Sequence, residues 1–356
     1  MKLLEESHVP PDAIHRICVI KPSALGDIVQ SLPILGPLRH RFPHAAIHWV
    51  CNRSFCSLLE PISLIDQVHP FDRSAAGQGL WQRARQLRRF ANELASQSFD
   101  LVIDLQGLLR SGLMCWTTGA KHRVGLATAR EGAGLFYHSV IDDRPKRQPA
   151  VARYWRLAHQ LGLGDLPIRW DFCITDQERR TAQQLLAGLR PPIVAIHPGA
   201  RWLTKRWPPN HFAQTVERVL DQTGGTVVIV GAPDESSLAD TILEDVHHPC
   251  RNLTGKTSLR QLAALLQAST VLLSNDSGPM HLAAALGTPT VAIFTCTSPV
   301  RAAPHGTGHR TIQTSVSCAG SYLRCCNRMD CMRDLTAEKV IPLLRQSLDQ
   351  YSAQAG

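Results

Sequence analysis

Short apolar runs alternate with amphipathic, helix-length stretches along most of this chain. Ile17–Ile20, Ile47–Cys51 and Leu101–Leu105 fall in the first half, and Ile193–His197, Thr226–Gly231, Val271–Asn275 and Thr290–Thr295 in the second. Between them, Gln82–Ser96, His211–Gln222 and Ser258–Gln267 carry apolar residues at helical spacing. Continuous apolar runs are the mark of strands buried on both faces. Such strands alternating with helices make βαβ units around a parallel sheet. The pattern restarts after residue 180: Gly162–Thr175 lacks helical periodicity, Asp176–Leu189 reads as a helix, and Arg190-Pro191-Pro192 leads into a new strand. The expectation is an α/β chain of two domains, 1–178 and 179–356, whose parallel sheets face a cleft. Ligands of such sheets lie beyond the carboxyl ends of the strands.

Composition agrees with this picture. A chain of 356 residues can build two cores, since single cores stop growing near ~250–300 residues. Hydrophobic residues at 44% and charged residues at 19% suit a soluble globular protein. The apolar runs are far short of the ~20 residues a spanning helix needs. The opening MKLLEESHVPPD is acidic and lacks the apolar core of a secretory signal. A cytoplasmic protein is expected.

The net charge of +9 changes the picture by asking for an anionic partner. Basic clusters stand at Arg83, Arg85, Arg88 and Arg89, at Arg144, Lys146 and Arg147, and at Lys205 and Arg206. No helix-turn-helix, zinc-finger or aromatic-basic module accompanies them, so no nucleic acid is expected. An anionic lipid head group or sugar acid fits the excess.

Three loops can carry chemistry. Lys21-Pro22-Ser23-Ala24-Leu25-Gly26-Asp27 follows the strand at Ile17–Ile20 and opens a helix, where free amides and the helix dipole hold anions. Asp27 reads two ways, as a helix cap or as a general base for an acceptor hydroxyl. A carboxylate at a helix N-terminus is stabilised as the anion, which weighs against the base. Pro33 and Pro37 imply that the helix is short or kinked.

The second loop, His197 to Pro208, joins Gly199, which lets backbone approach a ligand, to the cations Lys205 and Arg206. The third, Ser274 to Gly287, opens an alanine-rich helix at Pro279. Ser277 and Gly278 can leave amides for a diphosphate, with His281 one turn further on. Asp276 suits the loop's own amides or a ribose hydroxyl better than a phosphate. Basic-loop and capping readings stand beside the ligand-binding ones.

On KPSALGD (21–27), DLQGLLRSGL (104–113), AREGAGLFYH (129–138), HPGARWLTKRWP (197–208), VGAPDE (230–235) and SNDSGPMHLAAALGTPT (274–290), the chain resembles the ADP-heptose:lipopolysaccharide heptosyltransferases, glycosyltransferase family 9. The likeness runs from about residue 16 to about residue 345. It implies the GT-B type of fold, two Rossmann-like domains, the first binding acceptor and the second the nucleotide-sugar donor. It implies an inverting transferase that moves L-glycero-D-manno-heptose from ADP-heptose to the Kdo/heptose inner core, with no cofactor and no metal for catalysis. By the same resemblance Asp27 is the base, and Lys205 neutralises the leaving diphosphate. Asp276, Ser277, Gly278 and His281 hold the donor with Gly199, and Glu235, with Asp234 as rival, lies near the adenosine. Ser23, Gly26, Gln106 and Arg130 are the acceptor-side candidates.

AREGAGLFYH is similar to the enzymes adding a first heptose, whereas HPGARWLTKRWP is closer to those adding a second, so the acceptor stays open. An anionic glycolipid acceptor implies work at the inner face of the inner membrane, in peripheral contact with it. Two alternatives stand: the same fold with another nucleotide sugar or a protein acceptor, and a non-catalytic sugar-nucleotide binder.

Eleven cysteines complete the inventory. Seven (Cys18, Cys51, Cys56, Cys115, Cys173, Cys250 and Cys296) read as thiols of a reducing compartment. Cys318, Cys325, Cys326 and Cys331 can close a structural metal site, although their spacing lacks the paired C-x2-C of zinc knuckles. Free thiols are the competing reading.

Overall fold

The computed structural model describes residues 2–72 and 79–355; the side chains of Leu80, Arg83 and residues 352–355 lie outside the description. The chain separates into two compact units, 1–173 and 174–356.

The first unit is built on a seven-stranded, all-parallel sheet: β1 (Lys2–Leu3), β2 (Arg16–Ile20), β3 (Ala46–Asn52), β4 (Gln67–Phe71), β5 (Leu101–Asp104), β6 (His122–Leu126) and β7 (Ser139–Ile141). Its order is β1-β7-β6-β5-β2-β3-β4. Setting aside edge strand β1, the chain begins in mid-sheet at β2, runs out to β4, returns to β5 and runs out the other way. That is the doubly wound order, with a switch point between β2 and β5. The inner strands are buried on both faces, Ile17, Val19, Trp49 and Ile103 on one and Cys18, Ile20, Val50 and Val102 on the other. Pro33 sits in a 3-10 turn at Leu32–Ile34 that divides helix Leu25–Ser31 from helix Leu35–Arg41, the break that the prolines require.

The second unit repeats the plan with β8 (Ile193–His197), β9 (Thr226–Ile229), β10 (Cys250–Asn252), β11 (Val271–Asn275), β12 (Thr290–Phe294) and β13 (Arg310–Gln313). The order β10-β9-β8-β11-β12-β13 is again all parallel, with the switch point between β8 and β11. Helix Pro209–Thr223 and helix Ala337–Ala355 cover one face, supplying Phe212, Val216, Val340 and Leu344 to the core.

The boundary at 173/174 precedes the 178/179 read from the sequence. Thr175 caps helix Asp176–Leu185, its hydroxyl accepting from the Glu178 amide while the Glu178 carboxylate accepts from the Thr175 amide. Glu178 then pairs with Arg260, at 2.6 Å from Nε, on helix Leu259–Ala268. The capped helix is thereby fastened to the second unit from its first turn.

Candidate functional site

At both switch points the loops singled out in the sequence meet. In the first unit, the loop after β2 is tied to the loop after β5. Buried Lys21 donates from Nζ to the Leu105 carbonyl at 3.1 Å, and the Ser23 amide donates to Gln106 Oε1 at 3.4 Å. Burial alone would push the Lys21 ammonium down. Tyr154, whose ring centroid lies 5.3 Å from Nζ, more than offsets this with Asp27 and Asp104, so it is raised and stays charged.

Asp27 is not the cap residue of its helix; Ala24 is. Asp27 stands in the first turn and reaches back, Oδ2 accepting from the Ala24 amide at 3.3 Å and lying 4.0 Å from Lys21 Nζ. The carboxylate remains about half exposed. Gly26 is buried, and its carbonyl accepts from Gln30 Nε2.

Gln106 is fixed by buried Asp104, which accepts from the Gln106 and Gly107 amides at 2.8 and 3.1 Å and from the Tyr137 hydroxyl at 2.7 Å. Arg130 joins this group through its backbone, its amide donating to the Gly107 carbonyl at 2.8 Å, while its side chain is exposed. The approach needs Gly107: φ is +65°, and a Cβ there would lie 3.3 Å from Ala129 Cα. The structure therefore brings Ser23, Gly26, Asp27, Gln106 and the Arg130 backbone to one end of the first sheet.

In the second unit, the loops after β8, β9 and β11 form one network. Lys205 Nζ pairs with Asp276 Oδ2 at 2.7 Å, both side chains largely buried. Asp276 thus serves the lysine rather than the loop's amides. Asn275 clamps the second loop, accepting from the Trp207 amide at 3.1 Å and donating to the Pro198 carbonyl at 2.7 Å. His197 bridges the other two loops, with Nδ1 3.0 Å from Ser277 Oγ and Nε2 3.4 Å from Glu235 Oε2.

Glu235 is buried, whereas its neighbour Asp234 is exposed. Burial would raise the Glu235 carboxyl, but His197, the Ala232 amide at 2.8 Å and nearby Arg206 together hold it below its usual value. It lies in a slot between Gly199 and Gly231: a Cβ on Gly199 would fall 1.7 Å from Oε1, and one on Gly231 2.7 Å from Oε2. Gly199 thus makes room for a carboxylate of this chain.

Ser277 occupies the cap position of helix Gly278–Ala285, yet no side chain caps that helix. Its hydroxyl turns to His197 and Ser274 instead. The first amides of the helix stay available to an anion, with buried His281 one turn inside.

Lys21, Tyr154, His197 and Asn275 join the site only through these tertiary contacts. Lys21 and His197 were open to discovery as polar residues ending the strand segments of their motifs. Tyr154 carries no such signal, because it comes from helix Ala150–Gln160.

The C-terminal cysteines differ in burial. Cys318 and Cys325 are exposed, Cys326 is half-buried and Cys331 is buried in helix Asp330–Asp334. No three of their sulfur atoms converge as ligands; among the described residues the group that does is Glu217, Asp221 and His248. Burial first, then the neighbouring Cys318, Cys296 and Cys326, raises the Cys331 thiol.

The family model for glycosyltransferase family 9 (heptosyltransferase) matches residues 87–330. The chain belongs to that family. The glycosyltransferase is 26% identical over 298 residues to the lipopolysaccharide core heptosyltransferase OpsX of Haemophilus influenzae, covering 83% of each chain. It is 25% identical over 334 residues to lipopolysaccharide heptosyltransferase 1 of Pseudomonas aeruginosa, covering 87% of each. Among solved structures, ADP-heptose lps heptosyltransferase II of E. coli superposes with a TM-score of 0.77 at 26% identity, covering 95% of this chain and 99% of that one. The fold of this glycosyltransferase is accordingly the GT-B type.

Proposed function

We propose that this glycosyltransferase moves a heptosyl residue from ADP-heptose to the Kdo/heptose inner core of lipopolysaccharide, inverting the anomeric centre. The observation that carries the reading is the uncapped start of helix Gly278–Ala285 beside the Lys205–Asp276 pair. Free amides and a fixed ammonium are what a departing nucleoside diphosphate requires. The names of the relatives supply the sugar and the acceptor class.

On this reading the second unit holds the donor: Gly278, Ser277 and His281 at the phosphates and sugar, Lys205 opposite the diphosphate, and Glu235 in its Gly199 slot toward the nucleoside. The first unit holds the acceptor, with Ser23, Gly26, Gln106 and Arg130 around Asp27. The acceptor hydroxyl oxygen bonds to the anomeric carbon as the bond from that carbon to the diphosphate breaks. Asp27 takes the hydroxyl proton and ADP leaves with the electron pair. Lys21, 4.0 Å from the Asp27 carboxylate, helps to hold it in the first turn of the helix. The acceptor is a membrane glycolipid, met at the cytoplasmic face of the inner membrane.

The test is ADP release and heptose transfer with ADP-heptose and Kdo-bearing lipid A, comparing the parent with Asp27→Ala. The expected loss is about 10²- to 10⁴-fold in transfer, with ADP-heptose binding unchanged by calorimetry. Transfer by the variant at the parent rate would remove Asp27 as base. No ADP release by the parent would remove this donor or acceptor.

A further inference from the structure

Among the described residues, the first unit leaves an apolar face exposed. Helix Leu109–Thr117 buries Ser111, Gly112, Met114 and Cys115. Its outward stripe is Leu109, Leu113 and Trp116, at positions i, i+4 and i+7, all exposed. Helical amphipathicity calls for polar residues there. Beside it, the turn Ala133–Phe136 buries Ala133 and leaves Leu135 87% exposed. Turn and helix are in close contact, since a Cβ on Gly112 would lie 2.8 Å from Phe136 and 3.1 Å from Ala133.

Helix Leu80–Ser96 adds a third stripe of the same spacing, with Trp81, 89% exposed, followed by Arg85 and Arg88. All three elements close over one core cluster, which takes Leu94 and Phe90 from the first helix, Met114 and Cys115 from the second, and Ala133 and Phe136 from the turn. Their outward residues therefore belong to one side of the unit. Six of the eleven exposed large apolar residues among the described ones lie in these elements.

We propose that this face docks on an anionic lipid bilayer, an inference that rests on the glycolipid reading of the acceptor. Tryptophans and leucines suit the boundary between head groups and acyl chains, where an aromatic ring buries its apolar body. Arginines on the same face meet acidic head groups, and a chain of net charge +9 brings the complementary sign. Two carboxylates lie among these elements, Glu93, 3.0 Å from His69 Nδ1, and Glu131, which accepts from the Leu109 amide at 3.4 Å; Arg85, Arg88, Arg89 and Arg110 outnumber them. No helix among the described residues is long and apolar enough to cross a membrane, so the contact is interfacial.

The experiment is co-sedimentation of the full chain with phosphatidylethanolamine vesicles, with and without phosphatidylglycerol. The parent is expected to bind the acidic vesicles. Arg85→Gln with Arg88→Gln should weaken binding about 25-fold, at about fivefold per arginine. Leu113→Gln with Trp116→Gln should weaken it by about tenfold or more. Both variants should keep the parent's circular dichroism and its transfer to a deacylated, water-soluble acceptor. A parent that ignores acidic vesicles, or variants that bind as the parent does, would overturn the proposal. A parent dimer that becomes monomeric on Leu113→Gln/Trp116→Gln would assign the face to a second copy, and overturn it equally. Failure of the functional reading looks different: vesicle binding persists while neither the soluble nor the lipid acceptor receives heptose.

Discussion

Replacing Gly199 with alanine tests the donor loops by adding a single methyl group. The added Cβ would lie 1.7 Å from Glu235 Oε1 and 2.1 Å from Cδ, distances that no small adjustment absorbs. The backbone of this loop is held by the Asn275 clamp on Pro198 and Trp207, so the Glu235 side chain must move. Moving it breaks the contact with His197 at 3.4 Å and the hydrogen bond from the Ala232 amide at 2.8 Å. Hydrogen bonds to a charged group contribute about 1.5–3 kcal/mol, so Gly199→Ala should destabilise the fold by roughly that amount in urea unfolding. If Glu235 also serves the nucleoside, the same energy corresponds to an affinity for ADP about 10- to 150-fold weaker by calorimetry. The decisive arm is a double-mutant cycle. In a Glu235→Ala background the methyl group has space, and Gly199→Ala should cost less than about 0.5 kcal/mol. Equal costs in the two backgrounds would refute the reasoning, because the glycine would then be required for something other than this carboxylate.

Two further outcomes follow from buried charges. Lys205→Met leaves Asp276 buried without its cation, so stability should fall by about 3 kcal/mol; adding Asp276→Leu should restore part of it, and a double variant no better than the single would refute the pairing. His48 is pushed down from 6.5 to about 4 by burial and by the neighbouring His69 and Arg16. Its neutral form is favoured in the fold, so stability is full above pH 6.5. It falls as pH drops toward 4, where the unfolded chain takes up a proton that the fold refuses. The loss approaches about 3 kcal/mol. Urea unfolding at several pH values should show a shallower acid slope for His48→Asn, and parallel slopes would remove His48 as the cause.

The family resemblance was legible because its motifs are local. Each strand-to-helix loop carries its glycines, cations and carboxylates within a few consecutive residues, and the apolar runs before them mark buried parallel strands by composition alone. All seven runs read from the sequence become strands, including the four nearest the switch points, β2, β5, β8 and β11. The strands that escaped notice have physical reasons. β1, β4, β10 and β13 are edge strands, where one side needs no apolar cover: β4 contains a proline, and β10 is Cys-Arg-Asn. β7 is only three residues long, and β6 opens on His122 and Arg123.

The sequence by itself determined the alternation of strand and helix, the two-unit plan and the loops that matter, since these depend on periodicity and on residues close in the chain. It also named Lys205, Asp276, Ser277 and Glu235 one by one. Only the tertiary structure decided their partnerships. Strand order sets β8 between β9 and β11, and β2 against β5, and this brings Lys205 to Asp276, Glu235 to the Gly199 slot and Lys21 to Leu105. It likewise turned Ser277 from capping its helix to bonding His197. Sequence spacing constrains neighbours along the chain, whereas contacts between loops depend on which strands lie side by side and how their ends are packed.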